Sequence, residues 1–260
     1  MMCFKRWFSK PDPDPVIYGE KTALLFGINN YPGDGNDLAG CLNDIQDVEA
    51  KLKELWPEFQ VRKFRDSEVT RKRFKDEVTA AIAALPIGGI VTVFSDSCFS
   101  TGNTKGFLGR SRFFNPGFKR PRKFNRRMFR SDEMRWLAFS GCGETQTSAD
   151  ALINNRYNGA YTYYAKKCMQ KGITYLQLMN AIEVYLPSPQ FSQAPELHGP
   201  ETLQNRLLFE GPALVIWYSG HGSYLPDNNG DETDGADETL YLFDGHLRDD
   251  DINQILQTIK

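Results

Sequence analysis

Ala213-Leu214-Val215-Ile216-Trp217-Tyr218 is an unbroken apolar run, and it leads into Ser219-Gly220-His221-Gly222-Ser223, a polar segment with glycine on both sides of a histidine. A continuous run of this length predicts a strand buried on both faces. A second run, Ile90-Val91-Thr92-Val93-Phe94, leads into Ser95-Asp96-Ser97-Cys98-Phe99-Ser100. Residues 23–28 and 136–139 predict two more strands of the same kind. Amphipathic segments lie between them. Leu38, Leu42, Ile45, Val48, Leu52 and Leu55 keep a helical period behind a cap at Asn36 or Asp37. Thr70 caps a second helix with Phe74, Val78, Ile82 and Leu85 on one face. Residues 174–186 form a third, and Asp249 or Asp250 starts a last one through Ile252, Ile255, Leu256 and Ile259. Apolar strands alternating with such helices predict an α/β sandwich around a mostly parallel sheet.

Ligand sites in such sheets lie at the carboxyl ends of the strands. Cys98 and His221 both follow predicted strand ends, so they are candidates for a nucleophile and its base. The imidazole would take the thiol proton and later hand it to a leaving amine. Gly222, lacking a side chain, would bring its backbone N–H to a substrate carbonyl and form an oxyanion hole with the N–H of Cys98. The plainer alternative is a buried structural thiol and a loop histidine.

The 260 residues carry a formal net charge of −2, which excludes neither face of a strongly divided molecule. Residues 105–135 hold eleven Lys and Arg against Asp132 and Glu133, a net +9, leaving −11 elsewhere. Ten acids crowd into 227–251 with Arg248 as the opposing base. The basic stretch has Gly, Pro, Asn and Ser and no steady period, so it predicts a long exposed loop. Phenylalanines interleave with its cations, which also suits stacking on nucleic-acid bases. The acidic stretch reads as a calcium loop, as a dock for the basic loop, or as a solvated turn with acids at a helix start. No apolar run approaches the ~18 residues of a membrane helix. Five scattered cysteines without a CxxC pair indicate free thiols and a cytoplasmic setting.

Residues 218–223, YSGHGS, and 96–100, DSCFS, resemble the histidine and cysteine motifs of the caspase-like cysteine peptidases, in particular the metacaspases and orthocaspases. Residues 21–29, 40–44, 139–142 with 146–150, 159–162, 193–197 and 231–238 with 249–252 are similar to further family motifs. Phe99 departs from the pattern, standing where many relatives carry His or Tyr.

The resemblance implies a three-layer α/β/α caspase-like domain over 19–260, behind a poorly ordered leader at 1–18. It implies Cys98 as nucleophile and His221 as general acid/base. It implies Asp44 and Asp150 in the pocket for the residue before the scissile bond, with Cys41 and Ser219 beside them. Paired carboxylates suit the planar fork of arginine, so cleavage after Arg or Lys is expected. Residues 103–134 take the place of an intersubunit linker. Arg110, Arg112, Arg127 and Arg130 are then unranked self-cleavage candidates. Asp237, Asp249 and Asp250 stand at the family's Ca²⁺-ligand positions, although Asn154 and Asn155 stand where a further carboxylate is expected. Protein or peptide substrates, no membrane and a monomer complete the expectation. A catalytically inactive binding module and a nucleic-acid binder acting through 105–135 are the alternatives.

The order of the pieces is unusual. In the family the histidine strand precedes the cysteine strand, whereas here Cys98 comes first. Moving residues 212–260 to follow Leu85 restores the order. The edge strand expected at 207–209 would then run through three residues into a central strand, a span of ~14 Å for a reach of ~10 Å. The join requires fraying, loss of that edge strand, or exchange between molecules.

Overall fold

The computed structural model describes residues 18–98, 109–117, 135–143, 146, 148–228 and 235–259. The leader apart from Tyr18, Arg127, Arg130 and most of the basic linker lie outside these residues. In chain order the strands are β1 (Lys21–Gly27), β2 (Gln60–Arg65), β3 (Ile90–Asp96), β4 (Gly109–Ser111), β5 (Trp136–Ser140), β6 (Ala149–Ile153), β7 (Arg156–Gly159), β8 (Glu196–His198), β9 (Ala213–Ser219), β10 (His221–Pro226), β11 (Ala236–Leu242) and β12 (Gly245–Arg248). The helices are α1 (Cys41–Leu55), α2 (Arg71–Ala84), α3 (Ala160–Cys168), α4 (Tyr175–Glu183), the short α5 (Glu201–Gln204) and α6 (Asp249–Leu256).

Six strands form one sheet in the order β2-β1-β9-β3-β5-β8. All neighbours are parallel except β5 and β8. Alternation along each strand sends side chains to two cores. Leu24, Phe26, Leu214, Ile216 and Tyr218 join Phe74 and Val78 of α2 and Ile252 and Leu256 of α6. Ala23, Leu25, Val215 and Trp217 join Ile45 and Val48 of α1, Tyr161 of α3 and Leu178 of α4. The result is the three-layer α/β/α sandwich expected, and burial on both faces is why the strands are unbroken apolar runs. Two small antiparallel sheets, β4-β6-β7 and β10-β11-β12, flank it.

Helix starts differ in how closely they follow the sequence. Thr70 and Thr174 cap α2 and α4 through their hydroxyls, as residue type predicts. α1 begins at Cys41, not behind Asn36 or Asp37, because those residues serve a loop: Asp37 accepts the Tyr31 N–H at 2.9 Å. α6 has Arg248 at its cap, and Asp249, Asp250 and Asp251 fill its first turn, where the helix dipole favours negative charge.

The join at 207–212 is resolved by loss of the expected edge strand. Leu207 makes one isolated bridge to Thr174, and Leu208 N–H donates to Ile173 O at 2.8 Å. Phe209 then adopts φ 55°, and its ring packs edge-on against Trp56, Phe59, Phe94 and Tyr175. A left-handed conformation is costly for a bulky residue; here it coincides with a fully buried aromatic plug. Freed from pairing at the edge, the chain reaches the sheet centre, where β9 begins between β1 and β3.

Candidate active site

The register of the central strands assembles the first part of the site. β9 ends with Ser219 paired to Gly27 on one side and Asp96 on the other. Gly40, Cys41 and Asp44 come from the start of α1, Asp150 from β6 and Gly159 from the end of β7. These parts close around Arg112, a residue of the linker expected to be exposed. Residues 109–117 are instead built into the domain, and Arg112 is fully buried. β4 pairs with β6, setting Arg110 opposite Asp150, and Phe113 bridges to Gly222.

The guanidinium of Arg112 meets three buried carboxylates. Nη2 donates to Asp44 at 2.7 Å and to Asp150 at 3.1 Å. Nη1 lies 3.2 Å from Asp96 Oδ2 and donates to Ser219 Oγ at 2.7 Å. Each carboxylate is held from behind. Asp44 accepts from Asn158 and from Gly159 N–H, both at 3.0 Å. Asp150 accepts from Ala39 and Gly40 N–H at 2.7 and 2.9 Å, so it also fastens the entry to α1. Asp96 accepts from Thr162 N–H at 2.9 Å, from the Thr162 hydroxyl at 2.7 Å and from the Ser148 hydroxyl. Burial opposes the charge on Arg112, but Asp96, Cys41, Asp44 and Asp150 outweigh it and raise its pKa further. Burial pushes the Asp44 carboxyl up while Arg112 pulls it down. Burial also pushes up the Cys41 thiol, which makes no hydrogen bond to Arg112 among the described residues.

The backbone of Arg112 is held with equal definition. Its N–H donates to Ser148 O at 3.1 Å. Its carbonyl oxygen accepts from Cys98 N–H at 3.1 Å and from Gly222 N–H at 2.9 Å. Two backbone donors thus converge on one carbonyl, and that carbonyl belongs to the residue whose side chain fills the acidic pocket. Gly222 is required by close approach: a methyl group there would overlap the Cys98 carbonyl.

His221 is nearly buried, and its Nε2 lies 2.7 Å from the carbonyl oxygen of Asn36. That contact assigns the Nε2–H tautomer and leaves a lone pair on Nδ1, which has no hydrogen-bond partner. Burial pushes the imidazole pKa down to about 4, so it is neutral near pH 7. The Cys98 thiol is bonded to Ser148, accepting its N–H at 2.6 Å and donating to its carbonyl at 3.1 Å. The thiol is thus bonded to Ser148 and the imidazole to Asn36, not to each other.

Residues 20–86 match the caspase-domain family model. A 48-residue stretch is 48% identical to metacaspase-1 of Cryptococcus neoformans, covering 17% of this chain and 10% of that protein. It is 46% identical to metacaspase-1A of Aspergillus terreus and of Aspergillus niger, covering 17% of this chain and 12% of each. The aligned part spans about a tenth of the length of these curated relatives. A crystal structure of protein GSU0716 from Geobacter sulfurreducens shares the fold, with TM-score 0.51 and 18% identity over 72% of this chain and 97% of that one.

The structure brings together Cys98, His221, Gly222, Asp44, Asp150 and Ser219, with Cys41 alongside. Of the four arginines singled out, Arg112 occupies the pocket, while Arg110 is exposed and donates to Asp37 O at 2.5 Å. Asp96, Ser148 and Asn36 went unrecognised as site residues. Asp96 had a signal, an acid inside the predicted strand end two residues before Cys98. Ser148 meets the Cys98 thiol and Asn36 meets the His221 ring through backbone groups that their side chains do not advertise.

The three positions expected to bind Ca²⁺ lie on β11 and at the start of α6. Asp237 on β11 is paired with Arg248, and Asp249 and Asp250 open α6. Among the described residues no group of three or more His, Cys, Asp or Glu is arranged to hold a metal ion. No helix among the described residues is long and apolar enough to cross a membrane.

Proposed function

We propose that the protein is a cysteine endopeptidase that cuts after arginine and that its first substrate is its own bond between Arg112 and Phe113. The observation that carries this reading is the coincidence of an arginine side chain among Asp44, Asp96 and Asp150 with its carbonyl between the N–H groups of Cys98 and Gly222. In the reaction the Cys98 thiolate attacks the Arg112 carbonyl carbon, and the two backbone donors stabilise the resulting oxyanion. His221 accepts the thiol proton at Nδ1 and delivers it to the departing nitrogen of Phe113 as the C–N bond breaks. The thioester left on Cys98 is then hydrolysed by water, which His221 activates. The thiol must leave its contact with Ser148 for the first proton transfer.

Lysine is a poorer occupant on this reading, because its single ammonium cannot reach carboxylates on three sides as the planar guanidinium does. The position of β9 between β1 and β3 supports reading residues 212–260 as a transposed family segment, since catalysis needs only spatial adjacency. A second reading, a binding module locked by its own linker, is favoured by one observation: Cys98 is bonded to Ser148 and not to His221.

The test is incubation of the full chain with mass analysis of the products. Wild type should yield a fragment beginning at Phe113, and Cys98→Ala should yield none. A wild-type chain that stays whole and cleaves no Arg peptide supports the locked module instead.

A further inference from the structure

The residues after Arg112 are held as specifically as the arginine itself. Phe114 N–H donates to Gly222 O at 2.9 Å, and the Ser223 hydroxyl donates to Phe114 O at 2.8 Å. With Arg112 O in the oxyanion hole, the backbone from 112 to 114 is fixed at three carbonyl or amide groups along β10. A backbone fixed in this way sets where each side chain must start. The ring of Phe114 lies on Tyr241 with centroids 3.6 Å apart and planes 8° from parallel, and the His246 ring meets it at 70° from 5.8 Å. Phe113 stacks on the buried Tyr224 with centroids 5.7 Å apart.

Resting on the peptidase reading, we propose that Tyr224 forms the first primed subsite and Tyr241 with His246 the second. Both take aromatic side chains, so the substrate class is Arg followed by two aromatic residues. The second subsite also borders the catalytic base. Tyr241 is stacked on Tyr31 at 5.6 Å, Tyr31 packs on the His221 ring at 4.7 Å, and the Tyr31 hydroxyl accepts the backbone N–H of His221 at 2.8 Å. An aromatic at the second primed position therefore adds contact area to the cluster that positions the imidazole. Aromatic pairs of this kind are worth roughly threefold to tenfold in a binding or rate constant beyond simple burial.

The experiment follows conversion of the full chain at Arg112 in wild type, Phe114→Ala, Phe114→Tyr and Phe113→Ala, in single-turnover time courses read by mass spectrometry. A coumarin amide of arginine, which has no primed residues, is assayed on the same preparations. Phe114→Ala should convert about threefold to tenfold more slowly than wild type, Phe114→Tyr within about twofold of it, and Phe113→Ala by a smaller decrease. These substitutions lie in the substrate segment, and a Tyr241→Leu chain tested on peptides of residues 109–117 checks the subsite from the enzyme side. Equal conversion of Phe114→Ala and wild type, with the amide or the self-fragment still produced, overturns the subsite assignment alone. Absence of both fragment and amide cleavage from wild type overturns the peptidase reading beneath it.

Discussion

Arg112 and Asp44 are joined by a guanidinium–carboxylate contact of 2.7 Å in which neither side chain is exposed. Three aspartates around one buried cation place the pocket in the class of buried ion clusters. Breaking such a cluster from one side leaves charge without a partner or solvent, at about 3–5 kcal/mol. In a Cys98→Ala background, Arg112→Ala should therefore loosen residues 109–117 and lower stability by up to about that amount. Arg112→Lys should lose less, because one cation remains. Urea unfolding and limited proteolysis of 109–117 check this, and an unchanged protease susceptibility would show that the arginine does not hold the segment.

The oxyanion hole gives the sharpest single-atom test. Gly222→Ala places a methyl group against the carbonyl and backbone of Cys98, so one of the two backbones must shift and the two N–H donors part. Loss of one oxyanion donor typically lowers turnover by about 10²–10³-fold. Cleavage of an arginine peptide should fall by about that factor while the apparent affinity for the peptide changes less. A variant within tenfold of wild type would remove Gly222 from the catalytic machinery.

His221 supplies a pH dependence whose sign can be worked out. Its folded pKa is about 4, below an unfolded value near 6.5. Between those values the unfolded chain binds the proton and the folded chain does not, so stability falls as the pH drops from about 6.5 to 4. The difference corresponds to at most about 3 kcal/mol. Comparing Cys98→Ala with Cys98→Ala/His221→Gln by urea unfolding at pH 7 and pH 4 isolates it, and the histidine-containing chain should lose more. Parallel losses in the two chains would place the imidazole in solvent.

The proposed aromatic subsites rank the four arginines singled out as self-cleavage candidates. Arg112 has Phe114 two residues beyond it and Arg127 has Phe129, whereas Arg110 is followed at that position by Arg112 and Arg130 by Asp132. Sequencing the products of self-processing should therefore give a new N-terminus at Phe113 foremost, where both following residues are aromatic, and at Met128 in lower yield. Ends at Ser111 or Ser131 in comparable yield would contradict the ranking.

Much of the scaffold was legible because it rests on local pattern. The apolar runs at 23–28, 90–94, 136–139 and 213–218 became β1, β3, β5 and β9, and Thr70 capped α2, because burial on two faces and hydroxyl capping leave direct marks in residue type. The small strands β4, β6, β7 and β10–β12 were not legible. They are short and mixed in polarity, and their pairing depends on what lies opposite.

The sequence by itself determined which groups the site has available: a cysteine and a histidine at strand ends, a glycine beside the histidine, acids at 44 and 150, and a linker rich in arginine. Tertiary structure alone decided which arginine is bound, that Asp96 is a third carboxylate, that the backbones of Asn36 and Ser148 meet the imidazole and the thiol, and that Phe209 turns from an edge strand into a buried plug. The reason is physical. Residue type records whether a side chain is apolar, charged or nucleophilic. The strength of a buried charge pair or an oxyanion hole depends on distances of about 3 Å between groups far apart in the chain, and those distances exist only once β9 lies between β1 and β3.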